Sequence, residues 1–525
     1  MKLGKQGGHC QPEAWRGVRR TMKILMINPP PENVLSGNID DENFVDTGDF
    51  GHFPPLGLLY VIGHLEKHAP RHEILFKDCV AEHVSHTELG HIIASFCPDV
   101  VGVTSFTVSL IDVVKTAQAV RELVPDAHIC LGGHHPMAYP MEAAQLEEFD
   151  TVVVGEGERA FTELVNRLES GENFTGIAGV YTRETAESYR GRPPERDKRF
   201  LQNVTVPPAY IDDLDELPFP SRKHIQHISY YSTVGVSNRL ATVITTRGCP
   251  YRCTFCDVPY KRYRQRSVEN VLDEVQECLD MGYDEVHFYD DLFNINEKKM
   301  FDFCDAIERR GMKFVWDFRG RVNAVTRESL VRAKKVGLRQ ISFGVETGTD
   351  EGLKHLKKAT NVQQIRNAFR WCRELGIRTV ADYILGFPFE KSADDLRKNI
   401  QFLVDIDPDF ALFNVLQLLP NTELYKEAVE KGLVVEGKWR EFSLNPSGKF
   451  KVEHWTEFLD IDELIALRRE AYRRFYLRPP YIVRSVLQTR TWHEFSLKAF
   501  GLLLLLKVAL KAFSYLARKS VVRVD

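Results

Sequence analysis

The sequence lacks an excess of charge, a disulfide framework and an apolar run long enough to cross a membrane. Its 525 residues carry 69 lysines and arginines against 73 aspartates and glutamates, which leaves a net charge of −4 at pH 7. A nucleic acid backbone needs a basic face, so this balance argues against DNA or RNA as the main partner. The ten cysteines are scattered apart from one trio, and no secretory signal is recognisable. We therefore expect a reduced, cytoplasmic chain.

The longest apolar stretch is FSLKAFGLLLLLKVALKAFSYLARK (495–519). Eight residues separate Lys498 from Lys507, too few to span a bilayer. If the stretch is helical, Lys507, Lys511 and Arg518 share one face, with apolar residues opposite. The segment is then either an amphipathic helix in peripheral contact with a membrane or a helix packed on the protein's own core.

Short apolar runs alternate with amphipathic segments in two parts of the chain, which predicts an α/β protein. Strands that are apolar throughout and separated by helices indicate a parallel sheet covered on both faces. We predict a doubly wound, Rossmann-like domain over residues 23–170, after a leader (1–22) that we expect to be disordered. Residues 171–240 are predicted to be a polar linker.

The remainder of the chain is predicted to form a barrel followed by helices. Six strand–helix units over residues 241–430 indicate a partial (β/α)6 barrel, with its chemistry at the C-terminal strand ends. Residues 431–525 are predicted to be a helical region that ends in the amphipathic tail.

Small and polar residues follow three strands of the predicted first domain. Ligands of open α/β sheets bind outside the carboxyl ends of the strands, and glycine lets a large ligand approach the backbone closely. The alternative is that these are ordinary strand–helix turns. The residues are Thr104, Ser105, Gly132, Gly133, His134, Gly155, Glu156 and Gly157.

Three cysteines lie within eight residues, in TTRGCPYRCTFCDVP (245–259). Thiolate sulfur is a soft ligand that suits zinc or an iron–sulfur cluster. Three thiolates on one face of a cubane leave one iron without a protein ligand, where a substrate or cofactor can bind. A zinc site would need a fourth ligand, for which His224 and His227 lie upstream.

The motif CPYRCTFC resembles the signature of the radical S-adenosylmethionine superfamily. The resemblance implies that Cys249, Cys253 and Cys256 hold a [4Fe-4S] cluster and are catalytic. It also implies that S-adenosylmethionine binds the open iron and is cleaved to a 5′-deoxyadenosyl radical by one electron from a donor such as flavodoxin or ferredoxin.

Further positions match segments through which that superfamily contacts S-adenosylmethionine. The segment YDDLF (289–293) matches an amino-group contact, for which a carboxylate is suited, although its aspartates are alternatively caps of the following helix. The residues implied to contact the cofactor are Phe255, Asp290, Asp291, Arg321, Glu346, Gly386 and Pro388.

The predicted first domain, with PPLGLLYVIGHLE (54–66), resembles that of the cobalamin-binding subfamily. The resemblance implies that the eight residues after its strands contact cobalamin. One departure concerns the D-x-H-x-x-G motif, which supplies a lower cobalt ligand: here Asp78 is followed by Val80 at the histidine position and His83 at the glycine position. We therefore expect no cobalt-binding histidine from this loop.

In this subfamily the commonest reaction is methylation of an unactivated carbon by way of methylcobalamin. The alternatives are an oxidative cyclase of the anaerobic magnesium-protoporphyrin IX monomethyl ester type, or a ring rearrangement. Aromatic residues near the later strand ends and in the tail favour a lipid-like or tetrapyrrole substrate, although core packing explains them equally well. Two non-enzymes also stay open, a cobalamin-binding sensor and a zinc-stabilised structural protein.

Overall fold

The computed structural model of the protein describes residues 21–35, 51–201, 203–232, 235, 237, 239–487 and 489. The described residues divide into two compact units. The first comprises those within Met1–Leu35, Pro54–Ser229 and Gly437–Lys451, and the second comprises those within Ser36–Phe53, Tyr230–Glu436 and Val452–Asp525. Within the described ranges, no helix is both long and apolar enough to cross a membrane. The predicted amphipathic segment 495–519 and leader residues 1–20 lie outside the described residues.

The strands are named in chain order. They are β1 (Lys23–Asn28), β2 (Gly51–His52), β3 (Glu73–Asp78), β4 (Val100–Ser105), β5 (His128–Gly133), β6 (Thr151–Val153), β7 (Val180–Tyr181), β8 (Tyr231–Ser232), β9 (Leu240–Val243), β10 (Thr246–Arg247), β11 (Arg264–Gln265), β12 (Glu285–Phe288), β13 (Val315–Gly320), β14 (Leu338–Glu346), β15 (Arg378–Leu385) and β16 (Phe410–Val415).

The helices are named in the same way. They are α1 (Leu56–His68), α2 (His86–Phe96), α3 (Leu110–Leu123), α4 (His134–Ala138), α5 (Pro140–Ala143), α6 (Gly157–Ser170), α7 (Arg183–Glu187), α8 (Val268–Asp280), α9 (Glu297–Arg310), α10 (Arg327–Lys335), α11 (Asp350–His355), α12 (Val362–Glu374), α13 (Ala393–Ile406), α14 (Glu423–Glu430), α15 (Lys438–Leu444), α16 (Ile461–Tyr476) and α17 (Pro479–Leu487).

The first unit contains a six-stranded sheet in the order β3-β1-β4-β5-β6-β7. The first five strands run parallel, and β7 runs antiparallel to β6. Continuous apolar runs become these strands because both faces of the sheet are covered by helices, and Ile24 to Ile27 are all buried. The doubly wound architecture that the sequence indicates is confirmed.

The segment that we predicted to be a linker folds mainly onto the first unit. Its residues supply strand β7 and helix α7, and Ala209 forms a bridge with Gly155 just beyond β6. Its low periodicity reflects short elements held by non-local hydrogen bonds. Residues 437–451, which we predicted to belong to the C-terminal helical region, also group with the first unit. There Arg440 Nε donates to Glu142 Oε1 at 2.6 Å.

The second unit contains a parallel six-stranded sheet in the order β16-β15-β14-β13-β12-β9, each strand followed by a helical connection. This is the predicted partial barrel. The residues are polar on one face of the strands and apolar on the other. On the face that we call outer, Trp316, Phe318 and Tyr383 pack with the helices in one hydrophobic core. The alternate positions, such as Asp317, Arg319 and Asp382, form the inner face.

Aromatic side chains stabilise the outer face. Trp316 is fully buried and packs edge-to-face on Phe303 of α9 with ring centroids 5.4 Å apart. Its indole Nε1 donates to Val336 O at 2.9 Å, so its polar atom is also paired. Each such side chain contributes roughly 1.5–3 kcal/mol through burial, which fixes the strands whose ends carry the polar residues.

Candidate active site

The cysteine loop is closed by a short antiparallel ribbon. The predicted strand over residues 241–246 is split: β9 ends at Val243, and β10 then pairs with β11, on the far side of the loop. Gly248 has φ +85°, and a Cβ there would lie 2.6 Å from Arg262 O. The backbone N–H of Cys249 donates to Tyr260 O at 2.9 Å. The chain therefore returns on itself around the three thiols.

All three thiols of this loop are half-buried and free. Burial raises the pKa of the Cys256 thiol to about 11 and raises that of Cys249, while the charge of Lys261 lowers both. Lys261 is buried, and its ammonium donates to Tyr251 O at 2.9 Å. The loop thus carries a cation beside the ligands, which suits thiolates.

The two histidines that the sequence offered as further zinc ligands are engaged by carboxylates instead. His224 contacts Glu66 at 2.7 Å, and His227 lies 3.8 Å from Glu82, all within the first unit. The donor set of three thiols in one loop fits a cluster with one open iron.

Arg321, an implied S-adenosylmethionine contact, lies beside one of the thiols. Its guanidinium lies 3.7 Å from the centroid of the Tyr251 ring, and its Nη1 is 3.9 Å from Cys253 Sγ. Both backbone polar groups of Arg321 are bonded to the Asn294 amide at 2.9 Å. Its Nη2 is buried without a hydrogen-bond partner in the described structure. A buried donor of this kind fits the carboxylate of S-adenosylmethionine.

The two aspartates after β12 have different surroundings. Asp290 is buried, and its carboxylate accepts from the backbone of Thr245 at 2.6 Å and of Thr246 at 2.9 Å. Asp291 is exposed and accepts from Gly248 N at 3.0 Å. Both aspartates therefore hold the start of the cysteine loop. Neither caps the next helix, because Asn296 accepts from Lys299 N at the start of α9.

Glu346 ends β14 in a strained conformation. Its φ is +63°, which is rare for a residue other than glycine and is often found at functional sites. The carboxylate is buried and accepts from Lys358 Nζ at 2.6 Å. A Cβ at Gly344 would lie 2.4 Å from Glu346 Oε1, so only glycine leaves room for this ion pair.

The GFP segment and Phe255 are brought together. The rings of Phe255 and Phe387 pack edge-to-face at 5.8 Å, and Gly386 and Pro388 are buried on either side of Phe387. Glu390 accepts from the backbone of Gly386 at 2.7 Å and of Phe387 at 3.0 Å. Burial raises the pKa of Glu390 to about 7, although these hydrogen bonds oppose the shift.

The ends of β4 and β5 in the first unit, at Thr104–Ser105 and Gly132–Gly133, pack tightly against each other. Ser105 Oγ donates to Gly132 O at 2.7 Å across β4 and β5. A Cβ at Gly133 would lie 2.8 Å from Thr104 Oγ1, whereas one at Gly132 would meet no heavy atom within 4 Å. Gly132 therefore leaves open space at this edge of the sheet, which a large flat ligand can fill.

An exposed aromatic side chain adjoins this edge. Phe106 follows β4 and is 60% exposed, and its ring stacks on His134 at 5.9 Å. His134 begins α4, while the next residue, His135, is buried against Thr107 Oγ1 at 3.1 Å. The exposed phenyl ring and the open glycine therefore lie at the ends of neighbouring strands.

The last three predicted cobalamin contacts, Gly155, Glu156 and Gly157, pack against other parts of the protein. Gly155 has φ +102°, and a Cβ there would lie 2.2 Å from Ala209 O. Glu156 is buried, and its Oε2 accepts from Ile211 N at 2.6 Å. Gly157 begins α6 close to Val61. These residues hold the segment around Ala209 to the sheet.

The loop that departs from the D-x-H-x-x-G motif is closed by its own aspartate. Asp78 is buried, and its Oδ1 accepts from Val80 N at 3.2 Å and from Asn28 Nδ2 at 2.7 Å. Val80 stands where the motif has histidine, so this position supplies no metal ligand.

Sequence reasoning missed Tyr251, Lys261, Lys358 and Glu390. Each acts on a residue that the sequence did identify. Tyr251 stacks on Arg321, and the charge of Lys261 favours the thiolate of Cys256. Lys358 pairs with Glu346, and Glu390 accepts from the backbone of Gly386. Tyr251 lies inside the cysteine motif and Lys261 shortly after it, so aromatic content within the motif and charge next to it were the available signal. Lys358 and Glu390 carry no such signal.

Two family models match the chain. One match lies almost wholly in the first unit, and the other lies in the second. Residues 50–165 match the B12 binding domain, and residues 243–403 match the radical SAM superfamily. An uncharacterized methyltransferase of Pyrococcus horikoshii is 29% identical over 475 residues, which cover 89% of this chain and 95% of that protein.

A cyclase and a solved structure are also similar to the chain. The anaerobic magnesium-protoporphyrin IX monomethyl ester cyclase of Cereibacter sphaeroides is 30% identical over 468 residues, 87% of this chain and 71% of the cyclase. The fold matches that of the methyltransferase TsrM from Kitasatospora setae, solved with cobalamin and a [4Fe-4S] cluster, with a TM-score of 0.60 at 20% identity over 79% of this chain and 76% of TsrM.

The two matched domains define the cofactor set. It consists of a [4Fe-4S] cluster, S-adenosylmethionine and cobalamin, and the three thiols, Arg321 and the open edge at Gly132 fit these groups. The chain belongs to the cobalamin-binding branch of the radical S-adenosylmethionine superfamily.

Proposed function

We propose that this enzyme methylates an unactivated carbon of a small-molecule substrate. The observation that carries the proposal is the end-to-end match to the methyltransferase, of which the chain covers 95%, against 71% of the cyclase. A shared length supports a shared set of domains, whereas the cyclase has a further portion that this chain does not match.

The three thiols would hold the cluster, and the loop around them supports that role. When bound, the cluster, S-adenosylmethionine and cobalamin supply hydrogen abstraction and a methyl group. Lys261 stabilises thiolate charge, and the Asp290 and Asp291 carboxylates fix the backbone on which the loop begins. Arg321 would receive the carboxylate of S-adenosylmethionine through its buried Nη2.

The remaining predicted contacts would position the nucleoside part of S-adenosylmethionine. Glu346, whose charge is balanced by Lys358, would accept from ribose hydroxyls. Phe255 and the GFP segment offer an apolar surface for adenine, and Glu390 holds the GFP backbone in place. Exclusion of water by these packed groups protects a reactive intermediate from side reactions.

Cobalamin would lie on the first unit's open edge. Gly132, Gly133 and Thr104 offer backbone and small side chains there, and Phe106 and His134 offer ring faces. Because Gly155 and Glu156 are already bonded to the segment at residues 209–211, we propose that they shape this edge rather than contact the corrin.

The second candidate is oxidative cyclisation, favoured by the 30% identity to the cyclase. Two further elements of the proposal concern the cell: a cytoplasmic location, and a one-electron donor such as flavodoxin or ferredoxin.

The experiment counts two products from the anaerobically reconstituted enzyme. It receives cobalamin, S-adenosylmethionine, a low-potential reductant and an extract of the source cells. We expect 5′-deoxyadenosine and S-adenosylhomocysteine to rise together in near-equal amounts. A rise of 5′-deoxyadenosine alone contradicts methylation and favours the cyclase. If neither product forms although the cluster is complete, the enzyme proposal fails and a cobalamin sensor takes its place.

A further inference from the structure

Two opposite charges on the inner face of the barrel lack protein partners. Arg319 is the inner-face residue near the end of β13, and Asp382 lies on the inner face of β15, with β14 between them. Among the described residues, neither side chain makes a hydrogen bond or an ion pair. The two charges nevertheless attract each other, since Arg319 opposes the rise of the Asp382 pKa.

Asp382 lies in surroundings that disfavour its charge. It is half-buried, and burial raises its pKa to about 6, with a further rise from Glu346 and opposing effects of Arg319 and Lys358. A carboxylate removed from water without a hydrogen-bond donor is costly, so proteins rarely keep one for structure alone. Lys358 lowers this pKa only through its charge, because its ammonium is bonded to Glu346 at 2.6 Å.

Arg319 is oriented by an aromatic ring rather than by an acid. Its guanidinium lies 4.6 Å from the centroid of Tyr289, which is itself 38% exposed. Stacking fixes the plane of the guanidinium and leaves its N–H groups available in a fork that matches carboxylate or phosphate oxygens. The Arg319 side chain is otherwise exposed to solvent, so a ligand can reach these N–H groups.

We propose that Arg319 and Asp382 together anchor the substrate on the inner face of the barrel. Arg319 binds an anionic group, such as a carboxylate, phosphonate or phosphate, and Asp382 accepts a hydrogen bond from a hydroxyl or amine on the same molecule. The substrate class is therefore a molecule with a polar, anionic portion, not a wholly apolar lipid. This inference deepens the proposed function and rests on it.

The first test uses inorganic phosphate and methylphosphonate as probes of the reconstituted holoenzyme. Both anions should raise the melting temperature in a saturable manner, because a ligand that binds only the folded state stabilises it. Arg319→Gln should abolish the saturable rise, whereas Arg370→Gln, on the outer helix α12, should retain it. Equal responses of the two variants would overturn the anchor.

The second test measures 5′-deoxyadenosine against increasing amounts of fractionated source-cell extract. The fraction retained by an anion exchanger should stimulate cleavage, and Arg319→Gln should raise the half-saturating amount about 10- to 100-fold, as for loss of a charged hydrogen bond. Asp382→Asn should raise it as well, with Asp382→Glu recovering part of the loss. Each half-saturating amount is compared with cleavage by the same variant without extract, so that an effect on the S-adenosylmethionine site is measured separately from loss of the substrate anchor.

Stimulation confined to the neutral, solvent-soluble fraction would contradict the proposal, as would a saturation curve unaltered by Arg319→Gln. The readout is 5′-deoxyadenosine, which forms whether or not a methyl group is transferred. Failure of methyl transfer would therefore show in S-adenosylhomocysteine alone and would leave the anchor intact.

Discussion

In the first unit, the polar groups that follow the strands are bonded to the protein itself. Ser105 donates to Gly132 O, and Glu156 accepts from Ile211 N. In the second unit, the barrel keeps charges without partners, namely Arg321 Nη2, Arg319 and Asp382. A sheet edge whose polar groups are already hydrogen-bonded can contact a large cofactor through its surface shape and aromatic rings. Charges without partners instead bind small charged groups.

This difference predicts that the two units respond differently to substitution. Substitutions in the first unit should act by altering the shape or the stability of the sheet edge proposed to carry cobalamin. Changes in the second should alter chemistry or charge, in some cases with a gain in stability, because unpaired buried charges cost free energy that is recovered only when a ligand binds.

The largest effect is expected for Cys253→Ala in the second unit. Loss of one of three thiolate ligands should remove the brown colour, most of the iron and all detectable 5′-deoxyadenosine. Cys372→Ala, in the buried core, should retain all three. Iron content and product formation are measured together, and an active Cys253→Ala protein would contradict the cluster assignment.

The next largest effect is expected for Gly248→Ala. The new methyl group would lie 2.6 Å from Arg262 O at φ +85°, so the loop must shift, at a cost of about 1–3 kcal/mol. We expect lower cluster occupancy after reconstitution. The control is Gly311→Ala, which has φ +65° but no atom within 4 Å. Equal iron content in the two variants would contradict a role of this close contact in shaping the cysteine loop.

In the first unit, Glu156→Ala should lower the free energy of unfolding by about 1–3 kcal/mol, because the buried N–H of Ile211 loses its hydrogen bond to the Glu156 carboxylate. Glu163→Ala on the exposed face of the same helix should cost less than about 1 kcal/mol. Thermal unfolding of the protein with cobalamin measures both. A loss of cobalamin affinity at unchanged stability would instead make Glu156 a direct contact.

Asp382→Asn should increase the stability of the substrate-free protein near neutral pH. The native pKa of about 6 lies above the ordinary value of 3.8, so the unfolded chain releases its proton first and native stability falls as the pH rises through this window. The free energy of unfolding of the variant should exceed that of the parent protein by on the order of 2 kcal/mol at pH 7.5 and by almost nothing near pH 4. Unfolding at both values checks this, and a pH-independent difference would refute the titration of Asp382.

The smallest change in stability is expected for Gly132→Ala. No heavy atom lies within 4 Å of the added Cβ, so unfolding should shift by less than about 0.5 kcal/mol. Cobalamin affinity should nevertheless fall if this edge carries the corrin. Gly90→Ala, whose Cβ would make only an ordinary contact at 3.7 Å with Leu123, is the control, and equal affinity in both variants would move cobalamin elsewhere.

Much of the architecture could be predicted because periodicity is a local property. The predicted runs 73–78 and 128–133 coincide with β3 and β5, and the six barrel strands were all identified. The short elements within residues 171–240 gave no such local signal, because β7 has two residues and the Gly155–Ala209 bridge joins positions far apart in sequence. The return of residues 437–451 to the first unit likewise depends on non-local contacts.

For the candidate site, the motif identified the residues but not the partners that orient them. In the structure Phe255 packs against Phe387 of the GFP segment, and Arg321 lies beside Cys253. That Asp290 faces inward while Asp291 is exposed depends on how the loop after β12 turns. The inner-face pair Arg319 and Asp382 requires the strand register, which one sequence does not contain.

The central claim is that three thiolates leave one iron open for S-adenosylmethionine. The most direct measurement is electron paramagnetic resonance of the reduced, reconstituted protein, with metal content determined on the same sample, before and after S-adenosylmethionine is added. The account predicts about four irons per chain and a spectrum that changes on addition, because the cofactor becomes a ligand of the cluster. About one zinc per chain without iron, or an iron signal that S-adenosylmethionine leaves unaltered, would contradict it.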